Sequence, residues 1–149
     1  MHYEMTSELR TYEAFVRSLR SFDWLEDTDV SGACDVDLML ERRGRFLFIE
    51  GKPREGPRIH VPIGQWIALR TLSSLPGVDV WVVAEDDHAK EDDTLPRYSV
   101  LTVRPDLRYH TDGYRNGQKQ AVFYTDKTFT HVTLRDLQQM VNEWWAESA

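Results

Sequence analysis

The stretch that most constrains this chain covers residues 35–52, Asp-Val-Asp-Leu-Met-Leu-Glu-Arg-Arg-Gly-Arg-Phe-Leu-Phe-Ile-Glu-Gly-Lys. Two apolar runs, 36–40 and 46–49, flank a short charged segment that ends in Arg43-Gly44. Strand-like segments on either side of a glycine-containing reversal predict a β-hairpin. With Arg43 and Gly44 as the turn, Arg42 faces Arg45, Asp37 faces Glu50 and Asp35 faces Lys52. Directly opposed antiparallel residues share a face, with Cβ atoms about 4.5–5.5 Å apart. The register therefore sets two carboxylates side by side, with a lysine two positions along. A slip of one residue turns every side chain to the other face, so the chemistry depends on register.

Phe46, Leu47, Phe48 and Ile49 are apolar without alternation, which predicts a strand buried on both faces. Ionised groups at the end of such a strand are costly unless something pairs with them. Adjacent carboxylates repel unless one takes a proton or a cation sits between them. A hard divalent ion, Mg²⁺ or Mn²⁺, held through carboxylate oxygens and water, fits that arrangement. Lys52 is then placed to act on a metal-bound water or on charge developing at a phosphate.

These residues carry a family resemblance. Asp37, twelve intervening residues and Glu50-Gly51-Lys52 resemble the active-site hairpin of the PD-(D/E)XK nuclease superfamily. The family's first dipeptide is here Val36-Asp37, so its proline is missing. Val-Asp-Leu-Met-Leu through Phe-Leu-Phe-Ile-Glu-Gly-Lys is similar to archaeal Holliday-junction resolvases. Gln65 on a following helix, before an apolar strand, is similar to virus-type replication-repair nuclease domains. The resemblance covers residues 8–85 and fades beyond them. It implies an α/β fold with a restriction-endonuclease-like core, a mixed central β-sheet flanked by helices. It also implies metal-dependent hydrolysis of DNA phosphodiester bonds, with branched DNA among the substrates.

By the same resemblance Asp37 and Glu50 hold Mg²⁺ or Mn²⁺, with Asp35 or Glu13 assisting, and Lys52 and Gln65 complete the catalytic set. In the resolvases a glutamate on the first helix joins the metal site, and Glu13 matches that place better than Glu8. A glutamine at the place of Gln65 contacts the metal site or the substrate backbone. Solvent-exposed helical side chains are the alternative reading for both Glu13 and Gln65.

Along the chain, Leu9, Tyr12, Val16 and Leu19 recur at helical spacing over residues 6–20. After the hairpin, the prolines and glycine of 53–57 predict a loop flanked by Arg54 and Arg58. A helix is expected over 62–75 and a buried strand over 78–84. Hairpin, helix, strand is the order of an α/β core whose crossover makes the last strand parallel to an earlier one. A charged loop over 85–97 and a strand over 98–103 follow. Asp112-Gly113 and Asn116-Gly117 are both hairpin-type turn signals, and 121–124 reads as a strand. Arg108, Tyr109, His110, Tyr114, Arg115 and Lys119 mix cations with aromatics, a pattern open to nucleic-acid contact and to ordinary hairpin packing. Thr133 and Asp136 form a capping-box-like pair before a terminal helix. Its apolar stripe comprises Leu134, Leu137, Met140, Val141, Trp144 and Trp145, and the paired tryptophans leave room for a homodimer contact, as in the resolvases.

Length and charge set the outer limits. The 149 residues suit one domain, 1–149. No apolar run approaches the length of a membrane helix, and the lone Cys34 excludes an internal disulfide, which agrees with a cytoplasmic protein. The scattered histidines have no zinc-ligand spacing. The net charge of −7 opposes a nucleic-acid partner, which recruits Lys and Arg to its phosphates. Its distribution softens that objection: Arg42, Arg43, Arg45, Lys52, Arg54 and Arg58 gather around the hairpin, while acidic residues concentrate over 85–93. The basic group reads equally as a DNA-contacting set or as a solvated surface. DNA is the expected partner, RNA stays open, and a non-catalytic nucleic-acid-binding or protein-interaction module is the competing class.

Overall fold

The structure, a computed structural model, describes residues 28–29, 37–85, 94–115 and 117–149. Its elements belong to one compact unit, Cys34–Ala149. The hairpin forms in the expected register: β1 (Leu38–Arg42) pairs antiparallel with β2 (Arg45–Pro53), Leu38 with Ile49 and Arg42 with Arg45. The turn needs two left-handed residues, and Arg43 (φ 53°) and Gly44 (φ 81°) supply them. The Glu41 side chain accepts from the Gly44 N–H at 2.8 Å, which holds the reversal.

After β2 come β3 (Arg58–Pro62), α1 (Ile63–Ser73) and β4 (Val78–Glu85). β4 returns parallel to β2, with Glu50 beside Val82 and Lys52 beside Ala84. Then follow β5 (Tyr98–Thr102), β6 (His110–Arg115), β7 (Gln118–Tyr124), α2 (Thr125–Thr128), β8 (Thr130–Val132) and α3 (Leu134–Glu147). The strands form a mixed five-stranded sheet, β1-β2-β4-β5-β8, and a three-stranded sheet, β3-β7-β6. The protein is of the α/β class.

Alternation along β4 shows how the large sheet is covered. Val80, Val82 and Ala84 enter a core shared with Trp66 and Leu69 of α1 and with Ile59, Val61, Ala121 and Phe123 of the small sheet. Trp81 and Val83 enter a second core with Leu47, Val100, Val132 and the apolar stripe of α3. Burial on both faces explains the unbroken apolar runs in β2 and β4. The capping box forms: Thr133 accepts from the Asp136 N–H, and the Asp136 carboxylate accepts from the Thr133 N–H.

Several expectations are corrected. Residues 58–62 are a strand, so Arg58 opens β3 instead of lying in the preceding loop. Arg-Ile-His-Val-Pro does alternate, with Ile59 and Val61 buried, but prolines at 57 and 62 masked the signal. Asp112-Gly113 lies inside β6, where the pairing register shifts between Thr111 and Tyr114, and the reversal falls at Gly117 (φ 76°). Trp145 is 45% exposed while Trp144 is 5% exposed, because neighbours on a helix point about 100° apart. α2 and β8 carried no signal strong enough to be expected. The helix expected over 6–20, Cys34 and the acidic residues 86–93 lie outside the described residues.

Candidate active site

The pleat of β2 sends Phe48 and Glu50 to the face covered by α1, and Leu47 to the face covered by α3. Glu50 is 5% exposed, an unusual position for a carboxylate. Three residues in from the start of α1, Gln65 donates from Nε2 to Glu50 Oε1 at 2.8 Å. Lys52 Nζ lies 3.5 Å from the same oxygen. Glu50 Oε2 is buried and has no hydrogen-bond partner among the described residues. Asp37, just before β1, accepts from the Gly51 N–H through Oδ2 at 2.7 Å. A single hairpin end and one helix start thus bring Asp37, Glu50, Lys52 and Gln65 together.

The electrostatics follow from this packing. Burial pushes the Glu50 carboxyl above its ordinary value. The Gln65 hydrogen bond opposes that rise, the Asp37 charge adds to it, and the Lys52 charge and the Asp37 backbone N–H oppose it. Glu50 is therefore a carboxylate whose ionisation the fold makes costly, with one oxygen oriented and the other unsatisfied. A buried unpartnered oxygen beside a second carboxylate is a donor set of the hard, anionic type that Mg²⁺ or Mn²⁺ takes. Among the described residues these two carboxylates have no third acidic, His or Cys neighbour that completes a cage. Asp35 and Glu13 lie outside the described residues.

The arginines divide. Arg42, Arg43 and Arg45 sit at the hairpin turn; Arg45 lies five residues from Glu50, roughly 17 Å at the usual strand rise. Arg45 pairs with Asp79 at 2.9 Å, and Arg42 stacks on the Trp145 ring, 4.7 Å from its centroid, and donates to the Trp145 carbonyl. Arg54 and Arg58 lie beyond the other end of β2, nearer Lys52, and Arg54 Nε donates to the Gly56 carbonyl at 2.9 Å. The expected single basic group is two groups at opposite ends of one strand. The contact between Tyr124 and Lys127 was not expected from the sequence. Their ring-and-cation contact, 5.3 Å, is joined by residues of β3 and β6, and the β3–β7 pairing has no local signature.

No protein-family model matches the chain, and a search of curated proteins returns no significant match. Among the described residues no helix is long and apolar enough to cross a membrane.

Proposed function

We propose that this protein is a divalent-metal-dependent nuclease that hydrolyses DNA phosphodiester bonds on a restriction-endonuclease-like core. One observation carries the reading: buried Glu50 has Oε1 held by Gln65 and Lys52 and Oε2 unpartnered, beside Asp37. The hairpin and, after the added strand β3, the helix α1 and the parallel strand β4 support it, since hairpin, helix and strand follow in the order the PD-(D/E)XK resemblance implies.

Asp37 and Glu50 would hold the ion, which when bound supplies Lewis-acid polarisation and a more acidic water. The chain's own residues do the rest. Gln65 fixes the Glu50 rotamer, so that the free oxygen is aimed before any ligand arrives. Lys52 presents a positive charge where negative charge grows on the phosphate, an interaction strongest in the transition state. The hydrogen bond from the Gly51 N–H orients the Asp37 carboxylate. Branched DNA is the preferred substrate on the resolvase resemblance, and RNA belongs in the same test. A non-catalytic module on this fold is the second reading, favoured by the net charge of −7 and by the internal engagement of Arg42 and Arg45.

The test is cleavage of linear, flapped and four-way DNA, and of RNA, with Mg²⁺ or Mn²⁺. Lys52→Ala should lower turnover by about 10²–10⁴ with binding retained. A Lys52→Ala protein that cuts as fast as wild type would move the chemistry elsewhere. Binding without any cleavage, whatever the ion, would establish the non-catalytic reading instead.

A further inference from the structure

The small sheet turns Ile59, Val61, Ala121 and Phe123 into the core, so Arg58, His60, Val122 and Tyr124 lie on its opposite face. At one corner of that face, several groups converge on a single ring. Arg58 is the cross-strand partner of Tyr124. His110, which pairs with Val122, meets the Tyr124 ring edge-on with centroids 5.3 Å apart. Lys127, from the short helix that follows β7, sets its ammonium 5.3 Å from the same ring centroid. Arg58, His110 and Lys127 are all exposed. Arg58 and Lys127 put two exposed cations at this corner.

Two ordinary roles leave this arrangement unexplained. A buried packing role does not account for it, because three of its four members face solvent. Surface ion pairing does not account for Lys127 or His110, neither of which is in a salt bridge among the described residues. What suits cations gathered around an accessible aromatic is an anion that also carries flat rings. Lys127 is held over the tyrosine by a cation–π contact, so its charge is positioned before a ligand arrives.

We propose that the Tyr124 corner binds a single nucleic-acid strand, with Arg58 and Lys127 at a phosphate and Tyr124 and His110 against a base. The use of such a site rests on the nuclease reading, since it would hold a strand leaving the Glu50 cleft. Its placement suits that use. β3 runs from Arg58 at the corner to Pro62, the residue that caps α1 and so leads to Gln65. That is four residues, roughly 13 Å.

The experiment measures binding in EDTA, where cleavage plays no part, by fluorescence anisotropy of a labelled oligothymidylate. Competition with inorganic polyphosphate, a polyanion without bases, separates charge from stacking. Lys127→Glu should weaken both ligands and reduce the salt slope by about 0.7 for the lost phosphate contact. Tyr124→Leu, which keeps apolar bulk at a half-buried position, should weaken oligothymidylate by about 5- to 150-fold and leave polyphosphate unchanged. His110→Ala gives the same signature in smaller measure and serves as the stacking variant if Tyr124→Leu fails to fold. Thr133→Ala, at the cap of α3, should bind oligothymidylate as wild type does. Wild-type affinity in Lys127→Glu, or equal losses for both ligands in the stacking variant, would overturn the proposal while leaving the nuclease reading standing. Loss of Lys52-dependent cleavage with this binding pattern intact would do the reverse.

Discussion

Glu50 concentrates the physics of the site in one side chain. Its carboxyl titrates above the value it has in an unfolded chain, where carboxylates ionise near pH 4. Between those two values the native state binds more protons, so stability falls as pH rises through that window and stays reduced above it. Without divalent ions, Glu50→Gln should melt above wild type at neutral pH, and the advantage should vanish as the pH drops below the unfolded value. Melts recorded from acid to neutral pH check this, and a variant that is less stable throughout would show that the bonds to Gln65 and Lys52 outweigh burial. Mg²⁺ or Mn²⁺ should raise the wild-type melting temperature through linkage and leave Glu50→Gln unmoved. An unchanged metal shift in the variant would place the ion elsewhere. Asp37, Glu50 and Lys52 were legible in the sequence because strand period and turn chemistry are local rules. The resemblance offered Gln65 as a contact to the site, but its bond to Glu50 depends on how α1 packs against β2, which no local pattern encodes.

At the scale of elements, α3 and the hairpin tip are one unit. Asp79 of β4 accepts at Oδ2 from Arg45 and from the Trp144 indole N–H, both at 2.9 Å. The Arg45 guanidinium also lies 5.7 Å from the centroid of the Trp144 ring, and Arg42 repeats the arrangement on Trp145. Two arginines that sequence alone offers to DNA are thus engaged in docking a helix. Asp79→Ala leaves the buried indole N–H unpaired and should cost about 1–3 kcal/mol in urea unfolding. Thr133→Ala removes the capping box and should cost about 1 kcal/mol. Neither change touches the Glu50 cleft, so the folded fraction of each should cut at the wild-type rate; a loss of turnover in either would mean that α3 positions the site. The capping box was visible as Thr-x-x-Asp. The Asp79–Trp144 bond joins residues far apart in the chain, and the small sheet depends on the equally distant β3–β7 pairing, so neither could be read locally.

Across the whole molecule, the question is where a polyanion lies on a protein of net charge −7. The hairpin tip and the Glu50 end stand at opposite ends of β2, and their cations are differently engaged. Arg42 and Arg45 are committed to α3, while Arg54 donates to the Gly56 carbonyl and Arg58 opens β3, both near the loop that follows Lys52. Each phosphate neutralised on duplex DNA contributes about 0.9 to the slope of log affinity against log salt. Replacing Arg54 and Arg58 with alanine should therefore flatten that slope by up to about 1.8. Replacing Arg42 and Arg45 should do the opposite, lowering the melting temperature while the slope holds. Arg43 decides between a short and a long footprint, because it is exposed at the turn, beyond Arg45 and so further from Glu50 than the roughly 17 Å of that strand segment. With the substrate confined to the Glu50 end and the neighbouring small sheet, Arg43→Glu should leave affinity unchanged. A slope that flattens in Arg43→Glu as much as in the Arg54 and Arg58 variant would instead lay the duplex along the full length of the hairpin.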